Sequence, residues 1–375
     1  MWRLITKEGR KGRGARGAEK LSGGGRCGYG ATMRSGIGLT RGACPWRRLL
    51  GPWALALAGA AALIAPGRAA AEPTKLPPQE AYSYGENETA RIAAFGGALR
   101  ALGNGTASLF VNPSAMAESR VYHLEALAQV SPEARRQVYG GAVVDSITGR
   151  LAGGLSVVGG FIDPDGIDRS FLDARIALAY PISERFFVGL SGRYAKIHQD
   201  NTLKEGGLGA SDVSGGLVDP DGGRLALVNE VTFDAAVTVK VADTVHLAVV
   251  GQNLTYPNNG LLPTTLGGGV GVGTSDFSIE GDGVADFNSY SETTARLMVG
   301  AEYLAADHFP IRLGYRFDQG AEQHSISGGL GYVGAEFAVE AAVRRALSDP
   351  GATTVVFGLS YHLESTGLTR ATTDF

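Results

Sequence analysis

The fold is decided by the stretch Val231-Thr232-Phe233-Asp234-Ala235-Ala236-Val237-Thr238-Val239-Lys240-Val241-Ala242. Apolar side chains occupy its odd positions, and mostly polar or small side chains occupy its even positions. Successive side chains of a β-strand point to opposite faces, so the pattern predicts a strand with one apolar face and one polar face.

The same two-residue period recurs along the chain after Arg120. It is clear in residues 311–318, 336–344 and 354–363. Over the whole chain the pattern predicts about fourteen strands, which start near residues 120, 137, 150, 170, 185, 227, 244, 264, 275, 291, 309, 323, 335 and 352. An even number of strands of roughly ten residues is typical of a transmembrane β-barrel. We therefore predict an all-β fold, a transmembrane antiparallel β-barrel over residues 120–363.

A soluble sandwich or solenoid could alternate in the same way, so composition has to separate the alternatives. The surface of a soluble β protein usually carries many lysines, and the edges of its sheets are covered or charged. Residues 72–375 contain only Lys75, Lys196, Lys204 and Lys240, and the whole chain contains 56 glycines. Few lysines, abundant glycine and closely spaced strands favour the barrel.

In a membrane-spanning barrel the apolar stripe of each strand faces lipid and the polar stripe faces the lumen. Outer-membrane lipid is therefore an expected partner. We expect Phe233, Val237, Leu313, Val339 and Phe357 to face lipid. The charges expected to face the lumen are Asp234, Lys240, Arg296, Glu302, Arg312, Arg316, Glu336, Glu340 and Arg344.

Charge is distributed unevenly over the 375 residues. Residues 1–71 hold 13 of the 34 basic side chains but only two of the 37 acidic ones, which leaves residues 72–375 with a net charge near −14. Binding to nucleic acid needs clustered Lys and Arg against phosphates, so we expect no nucleic-acid partner. Both cysteines, Cys27 and Cys44, also lie in the first segment, which excludes a thiolate metal site or a disulfide framework from the remainder.

The segment 47–71 has the features of a secretory signal peptide. Arg47 and Arg48 precede an apolar stretch from Leu49 to Ile64, and small residues at 69–71 precede Glu72. A transmembrane anchor is the alternative, but the apolar stretch is shorter than the roughly 20 residues that a membrane span needs. We expect residues 1–46 to be a basic leader produced by a wrongly chosen start codon; a genuine long leader or a twin-arginine signal remains open. The signal predicts export and location in a bacterial outer membrane.

The lengths of the connections predict the orientation of the barrel. Connections after odd-numbered strands include the long residues 162–169 and 200–226, whereas those after even-numbered strands are mostly short. Periplasmic turns of such barrels are short and extracellular loops are long. The first strand should therefore run outward from the periplasm, and we expect both chain ends to lie on the periplasmic side. The tail at 364–375 follows the last strand.

Residues 72–119 form a linker and a segment without alternation. The segment runs from Ala90-Arg91-Ile92-Ala93-Ala94-Phe95-Gly96-Gly97-Ala98 to Asn112-Pro113-Ser114-Ala115-Met116-Ala117. It resembles the N-terminal segment of FadL-like outer-membrane barrels, including the PorV/PorQ type, in which Gly-Gly-Ala and a later Asn-Pro-Ala precede the first strand. Ser114 departs from that pattern. Residues 252–254 with 262–267, and residues 300–303 with 311–315, resemble further motifs of PorV-type proteins.

The resemblance implies a fourteen-stranded barrel whose residues 72–119 supply a hatch inside the lumen. It places the hatch motif at Gly96, Gly97, Asn112, Pro113 and Ser114. The residues alone support a tight turn here, because Asn caps local backbone groups and Pro restricts φ. Without the family pattern, an ordinary turn before a strand would explain Asn112-Pro113 equally well.

Catalytic and metal-binding patterns are weak in this sequence. The six histidines lack metal-ligand spacing and no Gly-x-Ser-x-Gly sequence is present, so we predict no enzyme activity, no catalytic residues, no metal and no cofactor. Two Asp-Pro-Asp-Gly sequences, at 163–166 and 219–222, have carboxylates that suit Ca²⁺. The same tetrapeptide is a favourable turn, which is the interpretation we adopt.

Three functions agree with these observations. The first is FadL-like passive transport of hydrophobic small molecules, and it is our leading prediction. The second is a PorV-like scaffold that shuttles or anchors secreted surface proteins and passes no solute. The third is a purely structural barrel. A hydrophobic small molecule or a secreted protein is thus the expected partner, and we expect a monomer.

Overall fold

The structure is a computed structural model that describes residues 76, 78–200, 224–257, 259–348 and 351–363. The predicted leader at 1–46, the signal peptide at 47–71, the second Asp-Pro-Asp-Gly sequence and the tail at 364–375 lie outside the described residues. The domain boundaries at these positions remain predictions.

The chain forms a closed antiparallel barrel of fourteen strands, and each strand pairs with its neighbours in sequence. The barrel closes where β1 pairs with β14, from Tyr122↔Leu363 to Val130↔Val355. Every strand begins within three residues of its predicted start, so the predicted barrel is confirmed. The strands are β1 (Tyr122–Ser131), β2 (Arg136–Asp145), β3 (Ala152–Ile162), β4 (Arg169–Ser183), β5 (Phe186–Asp200), β6 (Arg224–Ala242), β7 (Val245–Gln252), β8 (Thr265–Gly273), β9 (Phe277–Asp286), β10 (Thr294–Ala305), β11 (Phe309–Asp318), β12 (Gln323–Val333), β13 (Phe337–Ala346) and β14 (Thr353–Leu363).

The wall is apolar outside and polar inside. On β6, Phe233 is 55% exposed whereas the neighbouring Asp234 is 2% exposed. The same alternation gives Leu313 on β11 an exposure of 67% and its neighbour Arg312 an exposure of 2%. A water-filled barrel would leave its inner charges solvated, so their burial means that something fills the lumen.

The connections differ in length at the two ends of the barrel. At one end, which we call the turn end, most connections have only two or three residues, such as 184–185 and 274–276. At the other end, the loop end, the connections are longer and include 201–223, 253–264 and 287–293. This asymmetry is the one that the sequence predicted.

One strand pairing is incomplete near the loop end. β6 pairs with β5 over nearly its whole length but with β7 only between Ala235 and Ala242. Beyond Ala235, the connection 253–264 takes the place of a strand. Leu254 donates its backbone N–H to Phe233 O at 2.8 Å, and Leu262 in the same connection is fully buried. We call this place the β6–β7 seam.

The space inside the wall is occupied by residues 76–119, which we call the N-terminal segment. It contains three short α-helices, α1 (Pro78–Ala81), α2 (Ala90–Ala94) and α3 (Ser108–Val111). Three 3-10 turns complete it, at Ser83–Gly85, Gly105–Ala107 and Pro113–Ala117. No helix of the described residues has the length and apolar character needed to cross a bilayer.

The N-terminal segment crosses the lumen from one end to the other. Tyr82 packs on Phe171 near the loop end, with ring centroids 5.1 Å apart. Thr106 contacts His123 near the turn end, and the segment then enters β1. The prediction that both chain ends lie at the turn end is therefore wrong for the described N-terminal end, because Leu76 is buried at the loop end beside Ala134 and Ala352.

Candidate functional site

Near the loop end, two acidic residues of the N-terminal segment contact basic residues of the wall. The Glu86 carboxylate lies 2.8 Å from Arg316 Nη1 and 3.2 Å from Arg296 Nη1. The Glu88 carboxylate lies 2.5 Å from Arg344 Nη1. All three arginines are buried, so each needs a nearby anion to offset its loss of hydration. Burial raises the pKa of Glu86, but Arg316 and Arg296 outweigh this effect and hold the pKa well below its usual range.

Closer to the turn end the charges are reversed, and basic residues of the segment form ion pairs with acidic residues of the wall. Arg91 Nη2 lies 3.4 Å from Glu302 Oε1, and Arg91 Nη1 donates to Asn104 Oδ1 at 2.7 Å within the segment. Arg100 Nη1 lies 3.1 Å from Asp282 Oδ2. The charges of the segment and of the wall are therefore complementary along the barrel axis. The ion pairs fix the position of the segment along that axis.

The Asn112-Pro113-Ser114 sequence forms a buried turn against β6. The Asn112 side-chain oxygen accepts from Ser114 N at 3.0 Å and from Ser114 Oγ at 2.6 Å. Its amide nitrogen donates to Arg100 O at 2.5 Å and to Thr238 Oγ1 at 2.8 Å. Pro113 opens the following 3-10 turn, where its missing N–H costs nothing. Ser114, which departs from the resembled motif, adds a hydroxyl contact to Thr238 at 2.8 Å.

Glycines on the inner wall let the segment approach closely. A Cβ placed on Gly189 of β5 would lie 2.3 Å from Ser114 N, which no side chain can accommodate without moving the backbone. Gly96 of the segment has φ +69°, and its N atom would lie 2.3 Å from a Cβ on Gly314 of β11. Close packing of the segment therefore requires glycine at both wall positions, 189 and 314.

The wall has charge networks of its own. Asp173 on β4 is fully buried and accepts from Arg175 Nε at 3.0 Å and from Arg193 Nε at 2.6 Å. Both arginines also reach the segment, since Arg193 donates to Gly85 O at 2.6 Å and Arg175 donates to Phe110 O at 3.2 Å. On the opposite wall, Arg312 bridges Glu302 at 2.5 Å and Glu340 at 2.6 Å.

The structure places eight of the nine charges expected in the lumen on the inner side of the wall. Asp234, Lys240, Arg296, Glu302, Arg312, Arg316 and Arg344 are buried, and Glu340 is half-buried. Glu336 is different, and its placement in the lumen is wrong. It is exposed in the turn 334–336. β13 begins one residue later, at Phe337, so the alternation of the strand does not extend to Glu336.

The expected hatch residues are brought together with the wall but not with one another. Gly96 and Gly97 lie near β10 and β11, whereas Asn112, Pro113 and Ser114 lie against β5 and β6. Sequence reasoning missed Glu280 and Asp282 of β9, whose carboxylates bind residues 99–102. Both occupy inward-facing positions of β9. The outward-facing positions beside them are Gly281 and Gly283, so the sequence lacks the apolar side chains that would have revealed the alternation here.

The lumen between segment and wall is tightly filled. Cavities of about 30, 60 and 20 Å³ lie there, and charged or polar residues such as Arg193, Asn87 and Glu125 occur in their linings or beside them. A single water needs roughly 10–15 Å³ by this measure, so these spaces suit a few waters. Sites for drug-sized ligands are typically of the order of 300–1,000 Å³, which is far larger.

The largest of these lumen cavities, of about 60 Å³, lies at the loop end beside Glu80. Burial, with a smaller contribution from the Asp318 carboxylate, raises the pKa of Glu80 to about 7. Gln323 Nε2 lies 3.5 Å from the Glu80 carboxylate. Glu80 is therefore a titratable group between the segment and the wall.

The first Asp-Pro-Asp-Gly sequence forms the turn between β3 and β4. Gly166 has φ +83°, and the Asp165 side chain accepts from Ile167 N at 3.2 Å and from Arg169 Nη1 at 2.7 Å. Asp163 forms an ion pair with Arg135 at 3.2 Å. Both carboxylates thus have basic or backbone partners. Within the ranges that the structure describes, no group of three His, Cys, Asp or Glu side chains is arranged to hold a metal ion.

Comparison with known proteins identifies the fold. No protein-family model and no curated protein matches the sequence. Among solved structures, the CymD monoaromatic hydrocarbon channel is similar with a TM-score of 0.53 at 13% identity, over 74% of this chain and 97% of that one. The Ralstonia pickettii toluene transporter TbuX gives a TM-score of 0.52 at 14% identity, over 74% and 98% of the two chains.

A Pseudomonas aeruginosa FadL homologue is also similar, with a TM-score of 0.51 at 15% identity over 74% of this chain and 98% of that one. These TM-scores show a shared fold, which is the FadL-type barrel that the sequence motifs resembled. CymD is described as a channel and TbuX as a transporter.

Proposed function

We propose that this protein is a FadL-like outer-membrane channel for small hydrophobic molecules, seen with its lumen closed by the N-terminal segment. The observation that carries the proposal is the FadL-type barrel wall, with an apolar outer face, around a separate segment that blocks the lumen. Structural neighbours with this wall are hydrocarbon channels and toluene transporters. On this view the segment is the hatch, and the mature chain begins near Glu72 after the signal peptide is removed.

The hatch contacts the wall through both polar and apolar side chains. Its ion pairs include Glu88 with Arg344, and such a pair can be replaced by water when it separates. Its apolar side chains, such as Phe95, belong to one buried hydrophobic cluster with wall residues such as Val158, and this packing stabilises the closed position. The wall itself is complete without the hatch because its strands pair with one another around the whole circle.

A second route would leave the hatch in place and pass through the β6–β7 seam. Asn253 in this seam accepts from Arg193 at 3.1 Å and is buried. Below the seam, the outer wall carries an apolar depression of about 890 Å³ lined by residues that include Ile176, Phe233 and Val249. A hydrophobic molecule could leave the lumen for the bilayer on this side.

The alternative function that the sequence offered, a PorV-like scaffold for secreted surface proteins, finds no support among the structural neighbours, which include a hydrocarbon channel and a toluene transporter. The transport proposal requires that the wild-type protein takes up a hydrophobic molecule.

A disulfide that locks the hatch to the wall separates the two routes. A Cβ on Gly358 of β14 would lie 3.7 Å from Ala90 Cβ of α2, within the usual spacing of roughly 3.5–4.5 Å for a disulfide. The chain has no cysteine after Cys44, so Ala90→Cys with Gly358→Cys introduces the only pair in the mature protein. We expect uptake of a radiolabelled monoaromatic hydrocarbon by whole cells to fall to background when the pair is oxidised and to recover on reduction.

The single variants Ala90→Cys and Gly358→Cys, treated with the same oxidant, are the matched controls and should keep wild-type uptake. If the wild type takes up the probe and the oxidised pair does so equally well, the solute bypasses the hatch and the seam becomes the route. If the wild type takes up no probe, the transport proposal fails.

A further inference from the structure

Four consecutive backbone N–H groups of the hatch bind two carboxylates of one wall strand. Glu280 on β9 accepts from Leu99 N at 3.1 Å, from Ala101 N at 2.6 Å and from Leu102 N at 2.8 Å. Asp282 accepts from Arg100 N at 3.1 Å. The residues of this loop and both acidic residues are buried, so a bond lost here leaves a buried polar group without its partner.

The loop that presents these N–H groups has an unusual backbone. Leu99 has φ +117°, a value that a bulky residue rarely adopts, and it follows Gly96 and Gly97 at +69° and +93°. Such a conformation persists only where surrounding contacts impose it. Here those contacts include the two carboxylates, the ion pair between Arg100 and Asp282 at 3.1 Å, and the hydrogen bond from the Asn112 amide to Arg100 O.

The wall opposite this loop is shaped to receive it. A Cβ on Gly269 of β8 would lie 3.2 Å from Ala101 N, and a Cβ on Gly271 would lie 2.3 Å from the Leu102 side chain. Glycine at these positions lets residues 99–102 reach the carboxylates. Elsewhere wall side chains bind backbone carbonyls of the hatch, as Arg193 does at Gly85 and Arg175 does at Phe110. Residues 99–102 instead depend on two neighbouring acids for all four N–H groups.

We infer that Glu280 and Asp282 are the catch that holds residues 99–102 against the wall, and that release of this catch is the first step by which the hatch leaves its closed position. The assignment of a release step rests on the proposed function; the catch itself is a property of the fold. When the hydrogen bonds to the carboxylates break, Leu99 adopts an ordinary backbone conformation. The loop returns to the wall only when it binds the two acids again. Glu280 and Asp282 are thus positioning residues for the gate.

Hydrogen exchange of the purified full-length mature protein tests the catch without relying on transport. Glu280→Gln keeps one acceptor oxygen and replaces the other by an amide nitrogen, which cannot accept a hydrogen bond. Glu280→Asp keeps both oxygens but shortens their reach by one methylene. Asp282→Asn tests the second acid. Each should raise the exchange rate of the amides at 99–102 by about tenfold or more, which is the effect expected when a buried N–H group loses its hydrogen-bond partner. Glu280→Asp should raise exchange as Glu280→Gln does, because both oxygens and the full length of the side chain are needed.

Asp286→Asn is the matched control. Asp286 lies on the same strand, is equally buried, and binds Ser289 and Arg296 of the wall. Its removal should leave exchange at 99–102 unchanged. Unchanged exchange in the Glu280 and Asp282 variants would overturn the proposal, as would an equal rise in Asp286→Asn. Failure of all three test variants to form a heat-modifiable barrel, while Asp286→Asn folds, would also overturn it, since a release catch must be dispensable for the wall.

Uptake assays on the same variants then separate the catch from the channel. Faster exchange with faster uptake supports both. Faster exchange in proteins that never take up a hydrocarbon keeps the catch but removes the transport function.

Discussion

At the scale of single residues, Asn112 shows how one buried amide can organise a turn. All of its side-chain hydrogen-bonding groups are used inside the protein, and its exposure is 0%. Asn112→Ala should destabilise the turn 112–117 by about 1–3 kcal/mol, because Ser114 N and Arg100 O lose buried partners. Hydrogen exchange of the amides at 112–117 measures this change.

Ser114→Ala is the control for Asn112→Ala. It removes only a hydroxyl, and Thr238 keeps its bond from the Asn112 amide. The cost should stay below about 1 kcal/mol, in keeping with a motif that tolerates alanine here. If the two variants behaved alike, Asn112 would have no special role in the turn.

Glu80 should make the loop end of the hatch sensitive to pH. Burial raises its pKa from 4.5 to about 7 in the folded protein, so the folded state favours the protonated carboxyl. The stabilisation is therefore fully present below the unfolded pKa of 4.5 and is lost as the pH rises through about 7. Arg136, Arg316, Arg344 and Asp318 of the wall face the same cavity.

We expect amides 79–86 to exchange faster at about pH 8 than at about pH 5, after correction for intrinsic exchange. Glu80→Gln should remove most of this difference because the amide cannot ionise. A wild-type difference that survives in Glu80→Gln would assign the pH dependence to another group.

At the scale of the strand, the outward stripes carry the prediction of membrane insertion. Leu313 lies in the middle of β11 and is 67% exposed, whereas Phe309 begins the strand and is 49% exposed. Leu313→Arg should reduce the free energy of folding into a bilayer by about 2–4 kcal/mol, and Phe309→Arg by about 0–1 kcal/mol, because an arginine near the interface reaches water. Refolding into lipid vesicles with urea titration measures both. Equal, small costs would mean that the outer face is not embedded in lipid.

The structure also shows why an inward position is a poor control for that experiment. Thr238 is inward-facing and fully buried, and it bonds to Asn112 and Ser114 of the hatch. Thr238→Arg would collide with the hatch instead of reporting on a hydrated lumen. Depth along one outward stripe is the cleaner comparison.

At the scale of the whole molecule, the barrel and the hatch are separable. Deleting residues 78–117 should leave a folded barrel, because all fourteen strands keep their partners and the inner charges gain water. The lumen of that barrel should conduct ions, so planar-bilayer recordings should show larger and steadier currents than the wild type. Unchanged conductance would mean that the wall collapses inward or that the segment is not a plug.

The sequence by itself determined the wall. Period-two alternation set the number of strands, their starts and the side that each residue faces, because a strand assigns its side chains to two faces by local geometry alone. Turn lengths then distinguished the two ends. The rule failed at Glu336, which lies one residue before β13 begins, since the point where pairing starts depends on the neighbouring strand and not on the residue itself.

Only the tertiary structure decided how the lumen is filled. The sequence marked residues 90–117 as different, yet it could not show that the segment starts at the loop end, that Glu86 meets Arg296 and Arg316, or that Glu280 binds residues 99–102. These contacts join residues far apart in sequence, so no local period records them. They follow from closure of the barrel, which brings inner charges of distant strands around one axis, where the charges of the segment can pair with them.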